Sequence, residues 1–147
     1  MQKIVPHLWF DTQAKEAADF YVSAFQPLGD SKIDSAITMH DTPSGDADNV
    51  SFHLAGYSFL AISAGPLFKV NPSISFMVNF DPAHDPQAAE HLETLWKTLA
   101  EGGTVMMELG EYPFSKRYGW IQDKFGVSWQ LILTNPDGED RPFIIPS

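Results

Sequence analysis

The residues that could carry chemistry are few. The chain has five histidines, nineteen acidic residues and no cysteine. Without a thiol there is no disulfide, thiolate nucleophile or Cys-bound zinc. No HExxH motif occurs, and no serine sits in a nucleophile-elbow context. His7 falls in the short apolar run Ile4 to Phe10, where strand alternation puts Val5, His7 and Trp9 on one face. Gln130 shares a face with Ser128 and Ile132 in the run Val127 to Thr134. A lone strand histidine reads first as a hydrogen-bonded residue and only second as a metal ligand. Gln130 reads equally as a hydrogen-bond partner for a ligand carbonyl. His40 and His84 lie in turn-like segments, His91 reads as solvated, and the facing of His53 is open. Glu108 and Glu111 flank a stretch with Lys116 and Arg117. A carboxylate general base there would need burial to raise its pKa, so the four read as surface charge.

Large apolar side chains are more plentiful. Trp9, Phe59, Met77, Phe114, Tyr118 and Trp120 are candidates for lining a flat apolar cleft, the usual form of a small-molecule site. Trp96, on a helix, and Trp129, on the strand face opposite Gln130, are assigned to the core.

Positioning these residues requires a regular scaffold, and its elements can be read in order. Ile4 to Phe10 predicts a strand. Ala14, Ala17, Ala18, Tyr21, Val22 and Phe25 predict a helix capped by Asp11 or Thr12. Strands follow at Ile33 to Met39, Val50 to Leu54 and Ser58 to Ser63. His40 to Asn49 reads as a turn and Ala55-Gly56 as a hairpin. Gly65 to Pro72 reads as a linker. The order then repeats: strand Ser73 to Phe80, helix Gln87 to Leu99, strand Thr104 to Leu109, loop Gly110 to Tyr118, then strands Gly119 to Asp123 and Val127 to Thr134. Asn135-Pro136-Asp137-Gly138 is a strong turn, and the remainder reads as a tail. The paired starts Ile4/Ser73 and Ser58/Val127 are each 69 residues apart (73 − 4; 127 − 58). The fold class is therefore α+β, as two βαβββ modules. They form one domain over 1–147, with module one at 1–66, module two at 73–134 and a tail at 135–147.

Composition narrows the partners. At 147 residues with 44% hydrophobic content, the chain is the size of one globular domain. A formal charge of −10 disfavours nucleic acid and anionic membrane surfaces. No run approaches the roughly 20 apolar residues of a membrane span. The first ten residues lack a signal-peptide pattern, so the expected location is cytoplasmic.

A family resemblance rests on several motifs. Trp9-Phe10-Asp11 with Ala14, Glu16-Ala17-Ala18 and Phe20-Tyr21 resembles the opening of PhnB-like proteins. Ser75-Phe76, Leu95-Trp96, Gly102-Gly103-Thr104-Val105 and Gly119-Trp120 continue the likeness. So does Asp123-Lys124-Phe125-Gly126-Val127-Ser128-Trp129-Gln130. These proteins carry the label 3-demethylubiquinone-9 3-methyltransferase domain. They belong to the vicinal oxygen chelate (glyoxalase/bleomycin resistance/dioxygenase) superfamily.

The resemblance implies two βαβββ cups, a ligand held in the cleft between them, and a homodimer. It implies metal slots near His7 and Gln130, at Ser73 or Ser75, and at about Ser63. One histidine, one amide and two serines fall short of the three or four His or carboxylate ligands of a tight site. No cofactor is therefore expected, and a divalent metal only as the lesser reading. No glycine-rich cofactor loop follows a strand, so an adenosyl-cofactor site is not expected. The expected function is small-molecule binding, with His7, Trp9, Ser75, Met77, Trp120 and Gln130 on the ligand. The alternatives are a metal-dependent lyase, isomerase or dioxygenase of glyoxalase type, and a drug-sequestering resistance protein.

Overall fold

A computed structural model describes residues 2–43 and 45–147. It divides into two compact units, Met1–Val70 and Asn71–Ser147, the break falling inside the stretch read as a linker.

The first unit runs β1 (His7–Phe10), α1 (Ala14–Phe25), β2 (Lys32–Thr42), β3 (Gly45–Leu54) and β4 (Tyr57–Ser63). Its sheet has the order β1-β4-β3-β2, with β1 parallel to β4 and the other pairs antiparallel. The second unit runs β5 (Ser75–Phe80), α2 (Ala88–Ala100), β6 (Thr104–Tyr112), β7 (Ser115–Gln122), β8 (Ser128–Leu133) and β9 (Ile144–Pro146). Its sheet has the order β6-β7-β8-β5-β9, with β5 parallel to β8. Each unit is a βαβββ module, and the fold is α+β as expected.

In both units one sheet face packs on the helix and the other, the open face below, carries no helix, although in the second unit Ser75, Ser128 and Ile132 on it are buried. In the first, Leu8, Phe10, Val50, Phe52, Phe59 and Ala61 are buried with Ala14, Ala17, Tyr21 and Phe25 of α1. In the second, Phe76, Val78, Trp129, Leu131 and Ile121 are buried with Leu92, Leu95 and Leu99 of α2. Gly119 is required for that packing. A Cβ there would lie 2.6 Å from the Trp96 ring and 3.1 Å from Leu109 Cα. Trp96 thus packs over a bare stretch of β7 and stays only partly buried. The turn at Ala55 and Gly56 has φ of 49° and 85°, the paired positive values of a type I′ hairpin.

Several local readings are corrected. His40 to Asn49 is not a long turn, because β2 and β3 extend through it. The turn narrows to positions 43–44, and Ser44 lies outside the described residues. Gly110 to Tyr118 is the β6–β7 hairpin rather than a loop. Repeated register shifts between Val105 and Tyr112 break the alternation that marks a strand. Neither Asp11 nor Thr12 caps α1. Its N-cap is Gln13, and the Ala14 N–H donates to Ser63 Oγ at 2.9 Å. Phe59 faces the helix and stacks on Phe52, so it belongs to the core. The last residues carry β9, which pairs with β5 and is apolar at Ile144.

Candidate functional site

Strand register sets which side chains meet on each open face. In the first unit His7 pairs with Leu60 and Trp9 with Ile62. In the second Ser75 pairs with Ser128 and Met77 with Gln130. The two parallel pairs superpose at an offset of 68 residues (75 − 7; 128 − 60), one fewer than the element starts suggest. In a strand a one-residue slip exchanges the faces. The first-unit counterpart of Gln130 is therefore Ile62 and not Ser63, whose hydroxyl is turned to the helix. The second-unit counterpart of His7 is Ser75. Ser73 lies before β5 and is exposed.

Four of the six expected site residues are brought together on the second unit's open face: Ser75, Met77, Trp120 and Gln130. Trp120 pairs with Gln130 from β7, and Met77 pairs with it from β5. His7 and Trp9 lie on the first unit's open face. His7 is exposed, and Trp9 donates from Nε1 to the Gly65 carbonyl at 2.9 Å and meets Phe68 edge-on.

A hydrogen-bond relay crosses the second face. Tyr118 Oη donates to Gln130 Oε1 at 2.6 Å, and Gln130 Nε2 donates to the buried Ser75 Oγ. Trp120 Nε1 donates to Ser128 Oγ at 2.6 Å. Burial, and then the neighbouring Tyr112, push the Tyr118 phenol above its ordinary value. It therefore keeps its proton at neutral pH. The relay fixes the orientation of the Gln130 amide and leaves one of its two N–H groups for a ligand.

Beside this relay is a pocket of about 410 Å³, within the ordinary range for small-molecule sites. Its apolar wall is Met77, Ile132, Leu133 and Phe114. Phe114 stands at the tip of the β6–β7 hairpin, packed on Tyr112 and Tyr118 with centroids 5.7 and 4.9 Å away. Its rim is Thr134, Asn135, Gly138, Glu139 and Arg141. Sequence reasoning missed Glu139 and Arg141, having read their segment as a tail. Besides the β5–β9 pairing, side chains hold that segment. His84 Nε2 meets Asp140 Oδ1 at 2.8 Å, Asn79 Nδ2 donates to the Pro142 carbonyl at 2.9 Å, and Phe80 meets Phe143 edge-on.

The donor set decides whether a superfamily-type divalent ion fits. On the second open face the polar side chains are the Ser75 and Ser128 hydroxyls, the Asn79, Gln122 and Gln130 amides, the Tyr118 phenol and the Trp120 indole. The Gln130 amide is engaged at both ends, and Ile62 replaces the corresponding donor in the first unit. No carboxylate or imidazole stands among them, and this set does not fit a tight divalent site. Asp81, His84 and Asp140 do approach one another within 4.8 Å. They form the exposed ion pairs that hold the C-terminal segment, off the open face.

His53, of open facing in the sequence, is 13% exposed at its side chain and lies 3.0 Å from both Asp30 and Asp34. The hydrogen bond to Asp34 is the largest cause holding its pKa above the ordinary value, against the opposing effect of burial.

Comparison with known proteins agrees with the fold. The family model described as 3-demethylubiquinone-9 3-methyltransferase matches residues 2–132. A PhnB protein from Bacillus cereus, bearing the same methyltransferase description, is 35% identical. The match covers 90% of this chain and 100% of that one, with a TM-score of 0.76. A glyoxylase/bleomycin resistance protein/dioxygenase domain from Frankia is 14% identical, covering 94% and 96% of the two chains, with a TM-score of 0.61. TnmS3, an antibiotic binding protein from Streptomyces, is 15% identical, covering 92% and 100%, with a TM-score of 0.53. No protein of curated function matches the chain. The fold, the registers and the 131 matched positions from 2 to 132 agree: this chain belongs to the 3-demethylubiquinone-9 3-methyltransferase, or PhnB-like, family.

Proposed function

We propose that this protein binds a small amphipathic molecule on the open face of its second unit, with the ligand's apolar body against Met77, Ile132 and Phe114. The observation that carries this reading is the Tyr118–Gln130–Ser75 relay beside the pocket. A neutral amide, locked in orientation and facing apolar walls, is the arrangement that gives a ligand its direction. The antibiotic binding of TnmS3, on the same fold, is consistent with this use of the scaffold. Binding on this account uses the remaining Gln130 N–H and the apolar wall, and calls on no divalent ion.

Two companion readings follow. A homodimer is supported by the exposed apolar residues Ile37, Met39, Val105 and Met106 on the edge strands β2 and β6. The second is a cytoplasmic location, which cell fractionation tests; among the described residues no helix is long and apolar enough to cross a membrane.

Calorimetric titration with 2-naphthol, a neutral ring bearing one hydroxyl, tests the site. One site is expected, unchanged by EDTA and at least about tenfold weaker in Gln130→Ile. Equal binding by the variant, or binding abolished by EDTA, overturns the reading.

A further inference from the structure

The pocket rim offers more than an amphipathic ligand needs. Its lining has six polar side chains: Tyr118, Gln130, Thr134, Asn135, Glu139 and Arg141. The first four make hydrogen bonds within the protein. Tyr118 and Gln130 form the relay. Thr134 Oγ1 donates to the Phe80 carbonyl at 3.3 Å, and Asn135 Oδ1 accepts from the Asp137 N–H at 3.0 Å. Glu139 and Arg141 make no hydrogen bond or ion pair among the described residues. They do not pair with each other, although only one residue separates them.

Their placement has a local cause. Asp140 lies between them and is drawn away from the pocket to His84. The backbone beyond is held by Asn79, whose side chain takes the Pro142 carbonyl and whose N–H donates to the Phe143 carbonyl at 2.7 Å. With Asp140 anchored away from the pocket, the side chains before and after it line the mouth. The result is one anion and one cation at the entrance to an apolar pocket.

A ligand with a single charge would satisfy one of these groups and meet the other as a like charge. We propose that the pocket takes a zwitterion with an aromatic body, an amino-acid-like molecule whose carboxylate meets Arg141 and whose ammonium meets Glu139. This rests on the site reading above and assigns that site its ligand class. The guanidinium holds a carboxylate through paired N–H groups, and the ring lies against Phe114 and Met77. The protein's overall charge of −10 disfavours a simple anion, so recognition of the carboxylate depends on Arg141.

One series on a constant ring tests the class: L-tryptophan, indole-3-propionate, tryptamine and 3-methylindole, each titrated calorimetrically. L-Tryptophan is expected to bind at least about tenfold more tightly than the other three. Arg141→Gln should weaken L-tryptophan and indole-3-propionate and tighten tryptamine, which no longer meets a like charge. Glu139→Gln should weaken L-tryptophan and tryptamine and tighten indole-3-propionate, which no longer meets a like charge. Both side chains are exposed, so both variants keep the fold, which unchanged thermal transitions would verify. If 3-methylindole binds as tightly as L-tryptophan, or if neither variant alters the ranking, the zwitterion class is wrong while the site stands. If none of the four binds and 2-naphthol also fails, the site reading is wrong and takes this proposal with it.

Discussion

The two units share a plan and differ where the plan does not constrain them. In each, the first and last strands of the βαβββ module pair in parallel, and in each the helix-facing residues are apolar and buried. The open faces have diverged. At matched positions the first unit carries His7, Trp9, Leu60 and Ile62, where the second carries Ser75, Met77, Ser128 and Gln130. The first face is therefore mostly apolar, with its indole tied to the Gly65 carbonyl. The second is a hydrogen-bonded network with a pocket beside it. The helix-side face must bury apolar area to hold the module together. The other face makes no such demand, and there the side chains of the two halves differ.

The largest expected effect comes from a side chain on the constrained face. Trp129 is fully buried, and its Nε1 donates to Asp123 at 2.8 Å. Trp129→Ala should cost about 3–5 kcal/mol in urea unfolding. Trp9→Ala on the open face should cost less than half as much. Equal losses would erase the distinction between faces. A smaller effect is expected from Tyr118→Phe, which removes the donor to Gln130. It should cost about 1 kcal/mol of stability and weaken 2-naphthol, whereas Tyr57→Phe in the first unit should leave the ligand's affinity unchanged.

Ser63→Ala should cost about 1 kcal/mol as a lost helix-terminal acceptor. The second-unit residue at the same offset is Leu131, so this device belongs to the first unit only.

The smallest effect is a pH dependence. Two aspartates raise the pKa of His53, so its contribution to stability is complete below the ordinary imidazole value near 6.5 and fades as pH rises through the higher folded-state value. The melting temperature should fall slightly between pH 6 and 8, and His53→Gln should make that slope shallower, leaving the share of His84, whose pKa the hydrogen bond to Asp140 also raises.

Much of this division was legible in the residues. Alternation grouped Gln130 with Ser128 and Ile132, the face on which Ser75, Met77 and Trp120 also lie, and the hydrophobic spacing located both helices to within two residues of their observed starts. Three things were not legible. Element starts gave an offset of 69, and because strand faces alternate, that one-residue error sent the Gln130 counterpart to Ser63 in place of Ile62. Register shifts in β6 hid a strand between Gly110 and Tyr112. Glu139 and Arg141 reach the pocket only because distant His84 and Asn79 hold their segment, and local sequence carries no mark of that.

Methionine methyl NMR gives the most direct test of where the ligand binds. Met77 lines the pocket of the second unit, and Met39 lies on the first unit's open face beside Asn49, whose Nδ2 is 3.4 Å from its sulfur. Saturation with 2-naphthol should shift the Met77 methyl resonance and leave that of Met39 in place. A shift at Met39 with Met77 unmoved would contradict the account.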